Sequence, residues 1–148
     1  MKQLDTVFVV AGLLSLSVLV AVSSCDEGDQ INEAPIKPTR QHVASALQSS
    51  HWNVAYYFKD KDETEQFTGF SFTFQGDGTV QVVRNNVTLA GSWSSFQAPS
   101  DQLKLNLEFQ PVESFNLLNS DWVVVEQSDQ RIRLEDVVAN SEMTLERI

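Results

Sequence analysis

The sequence predicts an all-β fold, a small eight-stranded antiparallel up-and-down barrel preceded by one short helix. From residue 52 onward, segments of alternating apolar and polar residues recur, most clearly LKLNLEF at residues 103–109. Short connections join these segments, which makes neighbouring strands antiparallel. Residues 142–148 also alternate, so the last strand can pair with the first and leave no open edge. A two-layer sandwich is the alternative, but no connection is long enough to suggest Greek-key crossings.

Composition limits the number of domains and the kinds of partner that the chain can have. A chain of 148 residues allows one domain of ordinary size after any processed segment is removed. A net charge of −10 argues against nucleic acid or an anionic membrane surface as an electrostatic partner. The single cysteine excludes an intrachain disulfide framework, and two histidines are too few for an all-histidine zinc site. Any metal would therefore have to be a hard, oxygen-bound ion. We expect no metal and no cofactor.

Residues 1–24 are predicted to be a signal peptide. The apolar run at residues 7–22 is about 24 Å long as a helix, shorter than the ~30 Å hydrocarbon core of a bilayer. The sequence Val22-Ser23-Ser24-Cys25 follows it and resembles the lipobox of bacterial lipoproteins. That resemblance implies cleavage before Cys25 and lipidation of its sulfur. Plain secretion and a retained membrane anchor are the alternatives.

Residues 25–38 are predicted to be a flexible acidic tether. They are acidic, contain two prolines and show no hydrophobic periodicity, so they bury too little apolar surface to order themselves. A lipidated Cys25 implies a location at the outer membrane of a Gram-negative cell, on its periplasmic face or at the cell surface. The membrane is then a partner through this residue.

Residues 39–148 are predicted to form the barrel domain, beginning with a helix at residues 39–49. Thr39 is an acceptable N-cap, and Val43, Ala46 and Leu47 recur at helical spacing. So narrow an apolar stripe predicts a helix that covers one mouth or one seam of the barrel.

The first strand is predicted at residues 52–59, with an aromatic inner face. Trp52, Val54, Tyr56 and Phe58 share one parity in this segment. Residues 59–66 (KDKDETEQ) are almost wholly charged and are expected to be a solvated connection. Their acidic spacing lacks the glycine and the distal glutamate that a calcium-binding EF-hand requires.

Residues 67–94 are predicted to form three strands joined by two tight turns. The glycines of Gln75-Gly76-Asp77-Gly78 allow the first turn, and Asn85-Asn86 allows the second. After the strand at 103–109, residues 111–120 break the alternation and predict one or two helical turns that plug an end of the core. Three further strands are predicted at residues 121–127, 131–136 and 142–148.

Several short sequences in this order resemble the lipocalin-like domain of bacterial lipoproteins. They are Trp52-Asn53-Val54, Thr68-Gly69-Phe70, the Gly-Asp-Gly-Thr-Val turn at residues 76–80, Gly91-Ser92-Trp93, LLNSDWVV at residues 117–124 and MTLERI at residues 143–148. The resemblance spans most of residues 45–148. It implies a small eight-stranded lipocalin-like barrel without naming a substrate.

The interior of such a barrel is either filled or holds one small ligand. If the inward aromatic residues fill it, they form the core. If the barrel tapers, Tyr56, Phe70 and Trp122 are expected to line an apolar ligand-binding pocket. The sequence contains none of the common catalytic motifs, so we predict no enzyme. The expected function is a membrane-anchored, non-catalytic barrel that binds a small apolar ligand, or alternatively a filled barrel that docks a protein of a cell-envelope complex.

Overall fold

The fold is the predicted one, a closed eight-stranded antiparallel barrel with one short helix. A computed structural model describes residues 37–112 and 114–148. The predicted signal peptide at residues 1–24, the lipidation site Cys25 and the predicted tether as far as residue 36 lie outside the described residues.

The elements follow one another in the order expected of an up-and-down barrel. Their bounds are α1 Arg40–Gln48, β1 His51–Lys59, β2 Lys61–Asp62, the 3₁₀ helix η1 Thr64–Phe67, β3 Ser71–Phe74, β4 Thr79–Arg84, β5 Val87–Gln97, β6 Leu103–Phe109, the 3₁₀ helix η2 Phe115–Leu118, β7 Ser120–Gln127, β8 Arg131–Asp136 and β9 Ser141–Arg147. The barrel consists of β1 and β3 to β9, while the two-residue β2 pairs only with β1.

The barrel closes where the first strand meets the last, as the sequence predicted. β1 pairs with β9 from Trp52 opposite Arg147 to Lys59 opposite Ser141, with Val54 opposite Leu145. On its other side β1 pairs with β3 at only two positions, one of which is Trp52 opposite Phe72. β1 is therefore attached mainly to the carboxyl-terminal strand.

The two ends of the barrel are covered differently. The α1 end carries the turns at residues 75–78, 98–102 and 128–130 and is covered by α1, whose Val43, Ala46 and Leu47 are buried as expected. Thr39 is its N-cap, and its Oγ1 accepts a hydrogen bond of 3.3 Å from the N–H of His42. The opposite end, called the loop end below, carries the connections at residues 60–70, 85–86, 110–119 and 137–140.

The predicted inner face of β1 is wrong beyond Val54. The pairing with β9 shifts between Val54 and Tyr56, which marks a β-bulge. The extra residue reverses the alternation, so Tyr57 is fully buried while Tyr56 is 37% exposed. Phe58, also predicted to point inward, is only partly buried.

The connection after β1 is more ordered than its charged sequence predicted. It contains β2 and η1, and it turns at Asp60, whose φ is 61°. Oδ1 of Asp62 accepts a hydrogen bond of 2.9 Å from the N–H of Thr64, and Thr64 Oγ1 accepts one of 2.9 Å from the N–H of Tyr57. Phe67, predicted to begin a strand, instead ends η1 and is buried against the core. The strand begins at Ser71.

The predicted helical turns between β6 and β7 are confirmed as η2. Phe115 and Leu118 are buried, whereas Val112 remains 45% exposed. η1 and η2 together cover the loop end, so the described barrel has a covering element at each end.

Candidate functional site

The three residues predicted to line a ligand pocket do not meet in one. Tyr56 lies on the outer face of β1, beyond the bulge. Phe70 lies at the rim of the loop end, where its ring is 5.0 Å from the guanidinium carbon of Arg84 on one side and 5.0 Å from the ring of Phe115 on the other. Trp122 is fully buried inside the barrel.

The interior at the loop end is occupied by packed aromatic rings. Phe115, from η2, has four ring neighbours, with centroid distances of 5.0 to 6.3 Å. They are Phe67, Phe70, Phe72 and Phe109. Two of these contacts are edge-on and two are tilted, and aromatic quadrupoles favour such arrangements over face-to-face stacking. The aromatic rings at this end of the barrel therefore pack against one another.

Tyr57 takes the interior position that was predicted for Tyr56. Its ring is 5.1 Å from Phe67 and 6.2 Å from Trp122, so it links the cluster around Phe115 to the wall formed by β7. The signal in the sequence was ambiguous, because two tyrosines are adjacent and a bulge exchanges their directions.

Four buried polar groups bind the covering segments to the barrel wall. The indole N–H of Trp52 donates to Leu47 O at 3.2 Å, that of Trp93 to Gln75 O at 2.9 Å and that of Trp122 to Leu118 O at 2.8 Å. The hydroxyl of Tyr57 donates to Leu117 O at 2.9 Å. We call these four the closing hydrogen bonds. Each satisfies a polar group inside the core and holds a segment at one end of the barrel.

The connection that carries η2 is fixed by a further side chain. Asn119 Oδ1 accepts a hydrogen bond of 2.6 Å from the N–H of Phe109, and its Nδ2 donates to Phe109 O at 3.0 Å. Asn119 thus replaces a strand partner at the end of β6. With the bonds from Tyr57 and Trp122, four hydrogen bonds attach this connection to β1, β6 and β7.

A small polar cluster lies where β7, β8 and β9 reach the loop end. The carboxylate of Asp136 accepts hydrogen bonds from the Ser120 hydroxyl and, at 3.0 Å each, from the backbone N–H groups of Val138 and Ala139. Partial burial opposes ionisation of Asp136, but these donors outweigh it and hold its pKa below the ordinary value.

Tyr57, which lies near this cluster, is suited to donating a hydrogen bond rather than to accepting a proton from a substrate. Burial is the main reason that its pKa is raised above the ordinary value. Its hydroxyl is already engaged with Leu117 O, and the residue is fully buried. The Tyr57 and Ser120 hydroxyls and the Asp136 carboxylate therefore make hydrogen bonds within the fold.

A shallow depression lies on the outer surface of the barrel between β5 and β6. It has a volume of about 630 Å³ and is lined by Ala90, Gly91, Ser92, Glu108, Phe109, Gln110 and Pro111. The buried ring of Phe109 packs over Gly91, its cross-strand partner, which has no side chain. A Cβ at residue 91 would come within 2.5 Å of the Phe109 ring. The depression is open and contains none of the three predicted ligand-binding residues.

Within residues 37–112 and 114–148, no group of three or more His, Cys, Asp or Glu side chains is arranged to hold a metal ion. Over the same ranges, no helix has the length and apolar character needed to cross a membrane. Cys25, the predicted lipidation site, lies outside these ranges.

The comparisons with known proteins bear on the fold. No family model matches the chain, and no curated protein matches it. A solved structure of a DUF4847 family protein from Bacteroides vulgatus is similar to it, with 17% sequence identity and a TM-score of 0.51. The match covers 70% of this chain and 96% of that one. At this level of identity the similarity supports the barrel fold alone.

Proposed function

We propose that this chain is a lipid-anchored protein of the cell envelope whose barrel is a non-catalytic interaction module. The observation that carries the proposal is the occupied interior. The rings around Phe115 pack at distances of 5.0 to 6.3 Å, and the closing hydrogen bonds tie both covered ends to the wall. A barrel of this kind offers its outer surface and its loops to a partner.

The anchor is proposed to be Cys25, lipidated after removal of residues 1–24. The support is the lipobox-like Val22-Ser23-Ser24-Cys25 directly after the apolar run. Stable attachment requires two or more acyl chains, because each buried methylene contributes only about 0.8 kcal/mol. The proposed location is the outer membrane, on its periplasmic face or at the cell surface.

Cell fractionation tests the anchor. The intact chain is expected in the membrane fraction, and Cys25→Ser in the soluble fraction or as an unprocessed precursor. Metabolic labelling with a fatty-acid analogue should label the intact chain and leave Cys25→Ser unlabelled. A Cys25→Ser protein of mature mass that still fractionates with membranes would contradict lipidation as the means of attachment.

A second candidate function is the binding of a small apolar ligand inside the barrel. The observation that favours it is the location of Phe67, Phe70 and Phe115, which lie on the two longest connections rather than on strands. Displacement of η1 and η2 would expose Phe72 and Phe109 as the walls of an apolar pocket.

Native mass spectrometry of the protein purified from its own membranes separates the two candidates. An interaction module with an occupied interior is expected at the mass of the lipidated chain alone. A ligand-binding barrel is expected to carry an additional small molecule that is lost on unfolding. Retention of a stoichiometric apolar molecule would replace the first proposal with the second.

A further inference from the structure

The turn between β8 and β9 presents two valines to solvent at the loop end. Val137 is 75% exposed and Val138 is 98% exposed, the highest values among the exposed large hydrophobic residues of the described ranges. Single exposed apolar residues are ordinary, but two adjacent valines at the tip of a turn form a projecting apolar surface.

The fold does not need valine at these positions. The turn is held by polar groups, since Asp136 Oδ1 accepts from the N–H groups of Val138 and Ala139, and the Ser141 hydroxyl donates to Ala139 O at 3.2 Å. Asn140 adopts the positive φ, 50°, with which the backbone turns back into β9. The valine side chains are thus presented by a preorganised turn, which lowers the entropy cost of burying them against a partner.

The turn between β7 and β8, at the α1 end, provides a comparison within the same barrel. Its geometry is also fixed by a side chain, because Ser128 Oγ accepts hydrogen bonds from the N–H groups of Gln130 and Arg131 at 3.3 and 3.0 Å. Its tip is Asp129 and Gln130, both polar and exposed. A side-chain-fixed turn in this fold therefore does not require an apolar tip.

Carboxylates are concentrated on the strands beside the exposed valines. Glu142 is paired directly with Glu135 on β8 and with Phe58 on β1, and Phe58 is paired with Asp62 on β2. The row therefore contains three carboxylates, and like charges directly opposite one another destabilise a sheet. The neighbouring connection at residues 60–70 contains four acidic residues and one basic residue. Asp62 accepts a hydrogen bond from Thr64, and Glu135 pairs with Arg133 at 3.2 Å. Glu65 and Glu142 are exposed, so their carboxylates are available for recognition.

We propose that the turn at residues 137–140, Glu142 and the acidic connection at residues 60–70 form a docking surface for a partner protein. The partner offers a small apolar pocket bordered by Lys or Arg side chains. The valines enter the pocket, and the carboxylates orient the approach and select against acidic surfaces. An anionic lipid surface does not fit this chemistry, because the carboxylates would be repelled by it. The inference rests on the proposed function in taking the barrel as an interaction module.

Site-specific photo-crosslinking of the full chain in its own cells tests the surface. A photoreactive amino acid replaces Val138 in one variant and Val83 in another, since Val83 is 38% exposed on the outer face of β4. We expect one discrete protein adduct from position 138 and none from position 83. The crosslinked peptide of the partner should carry Lys or Arg next to apolar residues.

Charge reversal tests the chemistry of recognition. A double variant, Glu65→Lys with Glu142→Lys, reverses the charge of two exposed residues. We expect it to lower the adduct yield from position 138 at least about tenfold. Glu126→Lys with Asp129→Lys makes the same change of charge near the α1 end and should leave the yield unchanged. Thermal unfolding monitored by circular dichroism identifies any variant that fails to fold. If the double lysine variant fails to fold, Glu142→Gln is used in its place.

Each other outcome overturns the inference in a recognisable way. An adduct of two copies of this chain, an adduct with lipid alone, or no adduct from position 138 would remove the proposed partner. An adduct that survives the charge reversal would remove the role of the carboxylates. Adducts from position 83 without any from position 138 would refute this surface but retain the interaction module, whereas no adduct from either position would count against both.

Discussion

Replacement of Phe115 by alanine tests whether the barrel interior is occupied as described. Phe115 is 2% exposed and contacts the rings of Phe67, Phe70, Phe72 and Phe109. Truncating a buried phenylalanine costs about 3 to 5 kcal/mol through lost burial and the cavity left behind. Phe67 and Phe70 belong to connections and can move inward, whereas Phe72 and Phe109 belong to paired strands. We therefore expect the lower part of that range, about 3 kcal/mol.

Urea unfolding followed by tryptophan fluorescence measures this loss. For a domain of this size, about 3 kcal/mol corresponds to a fall in Tm of roughly 12 °C. Val112→Ala is the matched control in the same connection, and because Val112 is 45% exposed it should change stability by less than about 0.5 kcal/mol.

A ligand provides an independent check on the cavity. An apolar cavity left by Phe115→Ala should bind benzene or indole and regain part of the lost stability, as engineered apolar cavities do. The intact chain should show no such gain. A loss below about 1 kcal/mol for Phe115→Ala, or equal stabilisation of both proteins by benzene, would refute the description of an occupied interior.

Three further changes test other parts of the structure. Gly91→Ala places a methyl group 2.5 Å from the Phe109 ring and should destabilise the barrel by about 1 to 3 kcal/mol, measured by urea unfolding. Trp122→Phe leaves Leu118 O without its donor and should cost about 1 to 3 kcal/mol, with faster hydrogen exchange in residues 110–119. Asp136→Asn should lower stability at pH 7 and make little difference once the pH has fallen below the depressed folded-state pKa of Asp136, measured as Tm against pH.

The contrary results are equally specific. Unchanged stability in Gly91→Ala would mean that the Phe109 ring and the Glu108 carbonyl, which would lie 2.5 and 2.6 Å from the new methyl group, can both move aside. Unchanged exchange in residues 110–119 of Trp122→Phe would show that the indole does not hold η2. For Asp136, a depressed folded-state pKa contributes stability above the unfolded value of about 3.9 that is lost as the pH falls through the folded value. A deficit in Asp136→Asn that grows on acidification would contradict that sign.

The barrel could be predicted because its strands obey one simple rule. Leu103, Leu105, Leu107 and Phe109 alternate with polar residues and are all buried in the structure. Because the connections are short, neighbouring strands had to be antiparallel. The alternating apolar residues of the last strand predicted that it pairs with β1, as it does. These features depend on local periodicity, which a single sequence records directly.

The orientation of Tyr56 could not be predicted for the same reason. A bulge inserts one residue into a strand, and the segment Ala55-Tyr56-Tyr57-Phe58 is apolar at every position, so no polar residue marks where the alternation reverses. η1 was missed because charged residues dominate its segment. Its single buried side chain, Phe67, lies at the end of that segment and resembles the start of the next strand.

The candidate site illustrates a further limit of sequence reasoning. The sequence predicted that the aromatic residues point inward, but it could not decide whether they enclose a space or fill one. That depends on ring-to-ring distances and on the backbone carbonyls of Leu47, Gln75 and Leu118, which accept the indole hydrogen bonds. Every residue type has the same backbone carbonyl group, so the sequence does not show which carbonyls accept these hydrogen bonds.

The pairing of β1 with β9 has a consequence for how the barrel folds. Seven residue pairs join these two strands, although Trp52 and Arg147 lie at opposite ends of the barrel sequence. β1 therefore gains its main partner only when the strands between them have come together, and long-range pairing of this kind is slow to form. A chain shortened by the final strand would leave both β1 and β8 open to pairing with neighbouring molecules.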